Sequence, residues 1–264
     1  MNRTHNAVRQ SFNRAAASYA ATATLQQTVA DGVIAQVHQH LPSDFASHLL
    51  DAGCGTGYCT RQLQSHYPNA LVVGLDFAEH MLRQLPPPMQ PQSLQADIQQ
   101  LPLADASIDY YVSSLAWQWC KLLPAAQEVC RVLRPDGQLT VATLTSGTFH
   151  ELATCLQQVG LPAQAHILPF VMPQDLEAVF HQAGLTIRAV QQETITTWHT
   201  DFRSLRHSIR GVGANHLPGG NMAPLTRAMR AALLDAFEAL RTPKGLPLSY
   251  NILIIDAHKK ACAS

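Results

Sequence analysis

Leu49-Leu50-Asp51-Ala52-Gly53-Cys54-Gly55-Thr56-Gly57 reads as a buried strand that runs into a turn of alternating glycines. Glycine tolerates left-handed backbone and leaves amides bare, so such a turn can bend sharply and let a ligand lie against it. Tyr58 to Ser65 then has helical composition. Strand, glycine turn and helix together form the phosphate or nucleoside corner of doubly wound α/β sheets. The spacing is informative. A dinucleotide fingerprint is G-x-G-x-x-G, whereas the glycines here alternate and Asp51 stands two residues before the first. A pyrophosphate disfavours a carboxylate at that place, and a cationic ligand bearing an amino group favours one.

Working outward, Leu71-Val72-Val73-Gly74-Leu75-Asp76 is a second apolar strand closed by an acid, at the distance from the glycine turn where ribose hydroxyls are held. Ala78 to Leu85 is expected to be a short helix stopped by Pro86-Pro87-Pro88. Ser93 to Ala96 is a short third strand followed by Asp97, and Ser107 to Ser114 a fourth. Ligands in open α/β sheets sit beyond the carboxyl ends of the strands. Ser114-Leu115-Ala116-Trp117-Gln118-Trp119 therefore lies at the mouth of a site, where two tryptophans can wall a cavity. Of the two, Trp119 is the one expected to pack into the core. Ala125 to Leu133 is a helix, Arg134-Pro135-Asp136-Gly137 a turn, and Gln138 to Thr143 a fifth strand. Beyond Thr145 the pattern gives helices over 148–159 and 175–183, each closed by glycine, a strand over 185–197 and a last apolar strand over 249–256. About fifty residues separate those two strands, too many for a hairpin. They hold helical patterns over 201–211 and 224–240 joined by a glycine-rich linker, and read as a lid inserted before the last strand. Residues 1–41 read as helix, with Val8, Phe12, Leu25, Val29, Val33 and Val37 at helical spacing. The stretch Arg14 to Tyr19 reads equally as core packing or as a flap over a ligand.

The composition narrows the function classes. The 264 residues are 47% hydrophobic, enough for a sizeable core, with no apolar run of membrane-spanning length. Formal net charge is zero, which points away from nucleic-acid and membrane partners. The six cysteines are scattered without a C-x-x-C pair and no secretory signal is seen, so reduced thiols in a cytoplasm are expected. Thirteen histidines form no metal-ligand spacing, and no metal is expected. The neutral total hides an asymmetry. Between His199 and Gly245, seven Arg and Lys face three Asp and Glu, a surplus of four positive charges balanced by the rest of the chain. Arg203, Arg206 and Arg210 share one face of a helix, with His207 beside them, while Leu205, Ile209 and Val212 form another that can pack.

Taken in sequence, LLDAGCGTG, GLDFAEHML, QADIQQLPLADASIDYYVSSLAWQW and LRPDGQL resemble the successive motifs of class I S-adenosylmethionine (SAM) methyltransferases over residues 49–143. FNRAAASYAATATLQQ, SLAWQW, SLRHSIRGVGANH and LSYNILIID extend the resemblance, over nearly the whole chain, to the biotin-pathway malonyl-acyl-carrier-protein O-methyltransferases. The resemblance implies one Rossmann-like, seven-stranded doubly wound domain over 1–264. It would carry an N-terminal helical flap (1–41), a SAM-binding core (46–145) and a helical lid (199–245). It implies SAM as cofactor, held by Tyr19, Asp51, Gly53, Gly55, Gly57, Asp76, Phe77, Asp97, Ile98 and Ser114. Tyr19 and Arg210 are the catalytic candidates. Trp117, Gln118, Arg203, Arg206, His207, Arg210 and Asn215 are the candidates for the substrate, a malonyl thioester on acyl carrier protein or coenzyme A. Methylation of another small molecule, such as a quinone precursor, and a non-catalytic SAM-binding partner subunit are the competing readings. The lack of a His-Asp base pair fits a carboxylate acceptor, which is already ionised at neutral pH.

Overall fold

A computed structural model describes residues 8–10, 12–13, 24–86, 92–211 and 226–260. Tyr19 and Asn215 lie outside these, and Arg210 is described in its backbone only. The elements, in order, are α1 (Thr24–His40), β1 (His48–Ala52), α2 (Tyr58–His66), β2 (Leu71–Asp76), α3 (Glu79–Leu82), β3 (Ser93–Gln95), β4 (Ile108–Ser114), α4 (Leu122–Val132), β5 (Leu133–Leu144), α5 (His150–Gln158), α6 (Pro173–Gln182), β6 (Leu185–His199), α7 (Phe202–Gly211), α8 (Arg227–Glu238) and β7 (Leu246–Lys259).

The seven strands form one sheet in the order β3-β2-β1-β4-β5-β7-β6. Strands β1 to β5 run parallel to one another, and β7 runs antiparallel between β5 and β6. Because successive side chains leave a strand on opposite faces, each strand feeds two apolar layers. Leu49, Val72, Tyr110, Val112, Ala142 and Ile254 point to one, under α1 and α5. Leu50, Leu75, Tyr111, Leu139, Val141 and Ile255 point to the other, under α4 and α6. Burial on both faces is why these strands are apolar runs rather than alternating ones. In α1 the buried positions Leu25, Val29, Val33 and Val37 recur every fourth residue, the stripe visible in the sequence.

Among the described residues the expected elements are present with adjusted limits, while the stretch Arg14 to Tyr19 and the glycine-rich linker of the insertion lie outside them. The Arg134-Pro135-Asp136-Gly137 turn does not end β4's partner strand. Ile108 pairs with Leu133 and Tyr110 with Gln138, so the four residues bulge out of β5, with Asp136 at φ 62°. Helix α3 is shorter than expected, and β6 and β7 are longer, pairing from Leu185↔Lys259 to His199↔Leu246. Strand order reverses at β1, whose neighbours β2 and β4 lead the chain to opposite edges, and the crevice this leaves at the carboxyl ends of the strands is the topological place for a ligand.

Candidate active site

The glycine turn is built by backbone that only glycine adopts easily. Gly53, Gly55 and Gly57 have φ of 77°, 54° and 80°. Gly53 N and Cys54 N both donate to Leu75 O, at 2.7 and 2.9 Å, latching the turn to β2. A Cβ on Gly53 would stand 2.3 Å from Ala116 Cβ, and one on Gly57 would stand 2.1 Å from Leu85 Cδ2. Asp76, at the end of β2, accepts Gly55 N at 2.9 Å on one carboxylate oxygen and Ala78 N at 2.8 Å on the other. Each oxygen keeps further acceptor capacity. Asp51 accepts the Thr60 hydroxyl at 2.6 Å. Both carboxyls are buried, at 1% exposure for Asp51 and 6% for Asp76, and burial pushes each up to about 6. Among the described residues no cation pairs with either.

The turn separates two lobes of an open crevice that share Gly53, Gly55 and Ser114. The first, about 580 Å³, is lined by Asp76, Phe77, Asp97 and Ile98 and by the hydrophobic groups Phe12 and Trp119. Phe12 stands edge-on to Phe77 at 6.0 Å and to Trp119 at 5.8 Å, so its ring closes one side of this lobe. His80 N donates to Asn13 Oδ1 at 3.0 Å and holds Asn13 beside α3. The second lobe, about 570 Å³, lies between α1 and α2. It is lined by Asp51, Thr56, Tyr58 and Arg61 and by Gln26 and Gln27 of α1.

Most of the expected cofactor residues therefore meet at one crevice. Gly57 is an exception. It lines neither lobe, and its missing side chain makes room for Leu85. The tryptophan assignment is reversed. Trp117, expected at the pocket wall, is fully buried, 5.3 Å from the Phe180 ring, with Nε1 donating to Tyr111 OH at 3.2 Å. Trp119, expected in the core, lines the first lobe. The cause is local. Leu115 takes a left-handed backbone, φ 53°, directly after β4, and a single 3-10 turn over Trp117–Trp119 follows. The first indole is thereby aimed inward and the second toward the crevice. Gln118 is also turned inward: its amide donates to Leu115 O at 2.7 Å and accepts from Thr143 Oγ1 at 3.1 Å. Phe12 and the polar residues of α1 carry no ligand signal in the sequence. Phe12 carried only an apolar helical spacing, and Gln26 and Gln27 lie on the side of α1 away from its apolar stripe.

The inserted helices pack as their apolar faces require. Leu205 is buried, the Phe202 and Phe237 rings lie 5.1 Å apart, and Ser208 Oγ meets Tyr250 OH at 2.8 Å. Arg203, Arg206 and His207 are exposed on the other face of α7, away from both lobes. Arg241 is drawn into a pair with Glu238 at 2.7 Å, and Lys244 lies 5.5 Å over the Trp198 ring. Among the described residues no cluster of three or more His, Cys, Asp or Glu is placed to hold a metal ion, and no helix is long and apolar enough to cross a membrane.

Residues 50–141 match the family described as "Methyltransferase domain". The malonyl-[acyl-carrier protein] O-methyltransferase of Dechloromonas aromatica is 38% identical over 96% of this chain and 94% of its own length. The bifunctional biotin biosynthesis protein BioHC of Cellvibrio japonicus is 37% identical over 93% of this chain and 48% of its own length. Among solved structures, the YcgJ protein of Bacillus subtilis superposes with a TM-score of 0.61 at 16% identity, covering 88% of this chain and all of that one.

Proposed function

The chain belongs to the malonyl-[acyl-carrier protein] O-methyltransferases, within the class I SAM-dependent methyltransferases, and from that premise we propose that it esterifies the free carboxyl of a malonyl thioester carried on acyl carrier protein. The observation that supports this substrate over others is the length of the likeness. It spans 96% of the chain, so it includes the inserted helices and not only the common core. The crevice fits the cofactor. Two buried, raised carboxyls that pair with no described cation flank a turn of left-handed glycines, and a sulfonium ligand brings a positive charge to them.

Bound SAM supplies a methyl group on a positively charged sulfur. In our reading Asp76 holds the ribose hydroxyls with the acceptor capacity left after Gly55 and Ala78. Phe77, Ile98 and Asp97 receive the base in the first lobe, and Gly53, Gly55 and Ser114 bridge to Asp51 in the second. Phe12, Leu115 and Trp119 keep water from that lobe. The acceptor needs no general base, because a carboxyl near its ordinary range is ionised at neutral pH. The task of the chain is alignment of nucleophile and methyl group. We assign that task to Tyr19 and Arg210, keep Asn215 as a candidate for binding the acceptor, and take the segment 199–245 as the lid. Arg203, Arg206 and His207 form the face on which an acidic carrier protein docks.

Mass spectrometry of malonyl-acyl carrier protein after incubation with the enzyme and SAM tests the reading. A mass gain of one methyl ester on the malonyl group is expected. An unmodified carrier alongside methylation of a quinone precursor would overturn the substrate assignment. SAM binding with no transfer to any acceptor would favour a non-catalytic subunit.

A further inference from the structure

The two lobes differ in charge. Among the described residues that line them, the first has the acids Asp76 and Asp97 and no cation, whereas the second has one acid, Asp51, and one cation, Arg61, which do not pair with each other. Arg61 lies in α2, one turn past the glycine loop, with its backbone N donating to Gly57 O at 3.0 Å. Its guanidinium folds back over the loop. Nη1 donates to Thr56 O at 3.0 Å and lies 3.8 Å from where a Gly57 Cβ would stand. A guanidinium has five N–H donors in a planar fork, and the bond to Thr56 occupies one of them. Among the described residues Arg61 forms no ion pair.

A nucleoside in the first lobe leaves the second to the remainder of the cofactor, which is an amino acid with one ammonium and one carboxylate. Asp51 answers the ammonium, and the carboxylate requires a cation or several amides of its own. We propose that Arg61 is the anchor of the cofactor's α-carboxylate. It acts as a positioning residue that fixes the amino-acid end and so the direction of the reactive sulfur. The bond to Thr56 O pre-orders the fork, so little side-chain freedom is lost when the carboxylate arrives. This inference rests on the SAM reading of the crevice and extends it to a residue that the glycine motif does not contain.

The test compares two ligands that share the nucleoside and the thioether sulfur. S-adenosylhomocysteine carries the amino-acid end, and 5′-methylthioadenosine lacks it. Calorimetric affinities are measured for the wild-type chain, Arg61→Met and Arg61→Lys, with thermal melts of each. Arg61→Met is expected to lose about ten- to a hundredfold in affinity for S-adenosylhomocysteine, the scale of a charge-assisted contact. Its affinity for methylthioadenosine and its melting temperature should hold, and Arg61→Lys should recover part of the loss. Unchanged S-adenosylhomocysteine affinity in Arg61→Met overturns the inference. With a raised KM for the malonyl substrate, that result would assign Arg61 to the acceptor instead. Equal loss for both ligands also overturns it, since Arg61 would then act only through the shape of the loop. A wild-type chain that binds neither ligand removes the cofactor reading itself, and the inference with it.

Discussion

Two carboxyls buried in one crevice and paired with no described cation make the binding of a cation pH-dependent, and the size of the effect follows from their environment. Asp51 and Asp76 are each raised from 3.8 to about 6, chiefly by burial. A carboxyl raised in the folded state contributes stability that is fully present below its unfolded value and is lost as pH rises through about 6. Above that pH the empty crevice holds two buried negative charges. Binding SAM, which carries a net positive charge, should return both groups toward their ordinary range. Full return of one carboxyl from about 6 to 3.8 corresponds to about 3 kcal/mol at neutral pH. At pH 6 each group is about half protonated when empty, so SAM binding should release up to about one proton in total. SAM affinity should rise about tenfold per responsive carboxyl between pH 5 and 7. Titration calorimetry at pH 6 in two buffers of different ionisation enthalpy reads the proton release directly. Asp76→Asn should reduce it by about half. Binding without proton release at pH 6, together with an affinity flat from pH 5 to 7, would refute the reasoning.

Asp76→Ala should weaken SAM binding by about one to two orders of magnitude, and it should also lower the melting temperature, because the amides of Gly55 and Ala78 lose their buried acceptor. Calorimetry and a thermal melt separate the two effects, and unchanged SAM affinity would remove Asp76 from the site. Trp117→Ala should destabilise by about 3–5 kcal/mol, since its indole is fully buried, while Trp119→Ala should keep the fold and lose cofactor affinity. The opposite pattern in denaturant melts and binding would restore the assignment expected from sequence. Arg203→Glu with Arg206→Glu should raise the KM for the carrier-bound substrate, flatten its salt dependence and spare a small malonyl thioester. An unaltered KM at low salt would make α7 a cover and not a docking surface.

What could be read from the sequence was whatever is decided locally. Left-handed glycines, acids at the ends of β1 and β2, and a fourth-residue apolar stripe in α1 each leave a signature within a few residues, and each stands where expected. What could not be read depends on partners far along the chain. Gly57 clears Leu85, and no spacing rule separates that duty from ligand contact. Trp117 and Trp119 exchange places because one left-handed residue, Leu115, reorients the turn before them, and leucine is no signal for that backbone. The second lobe is invisible in the same way. A helix pattern identifies its buried stripe but does not say that the polar side, with Gln26 and Gln27, faces a crevice.

Strand β7 has a consequence for how the chain comes together during synthesis. It lies between β5 and β6, yet a ribosome makes it after both. When β6 has emerged, its neighbour in the sheet is still some fifty residues from being translated, and β5 has one open edge. The inserted helices α7 and α8 are produced in that interval, before Leu246, Leu248 and Tyr250 exist to receive them. Completion of the sheet in this half of the molecule thus waits for β7 to be inserted, and such long-range pairing closes slowly. Until then the uncovered strands are a natural client surface for a chaperone.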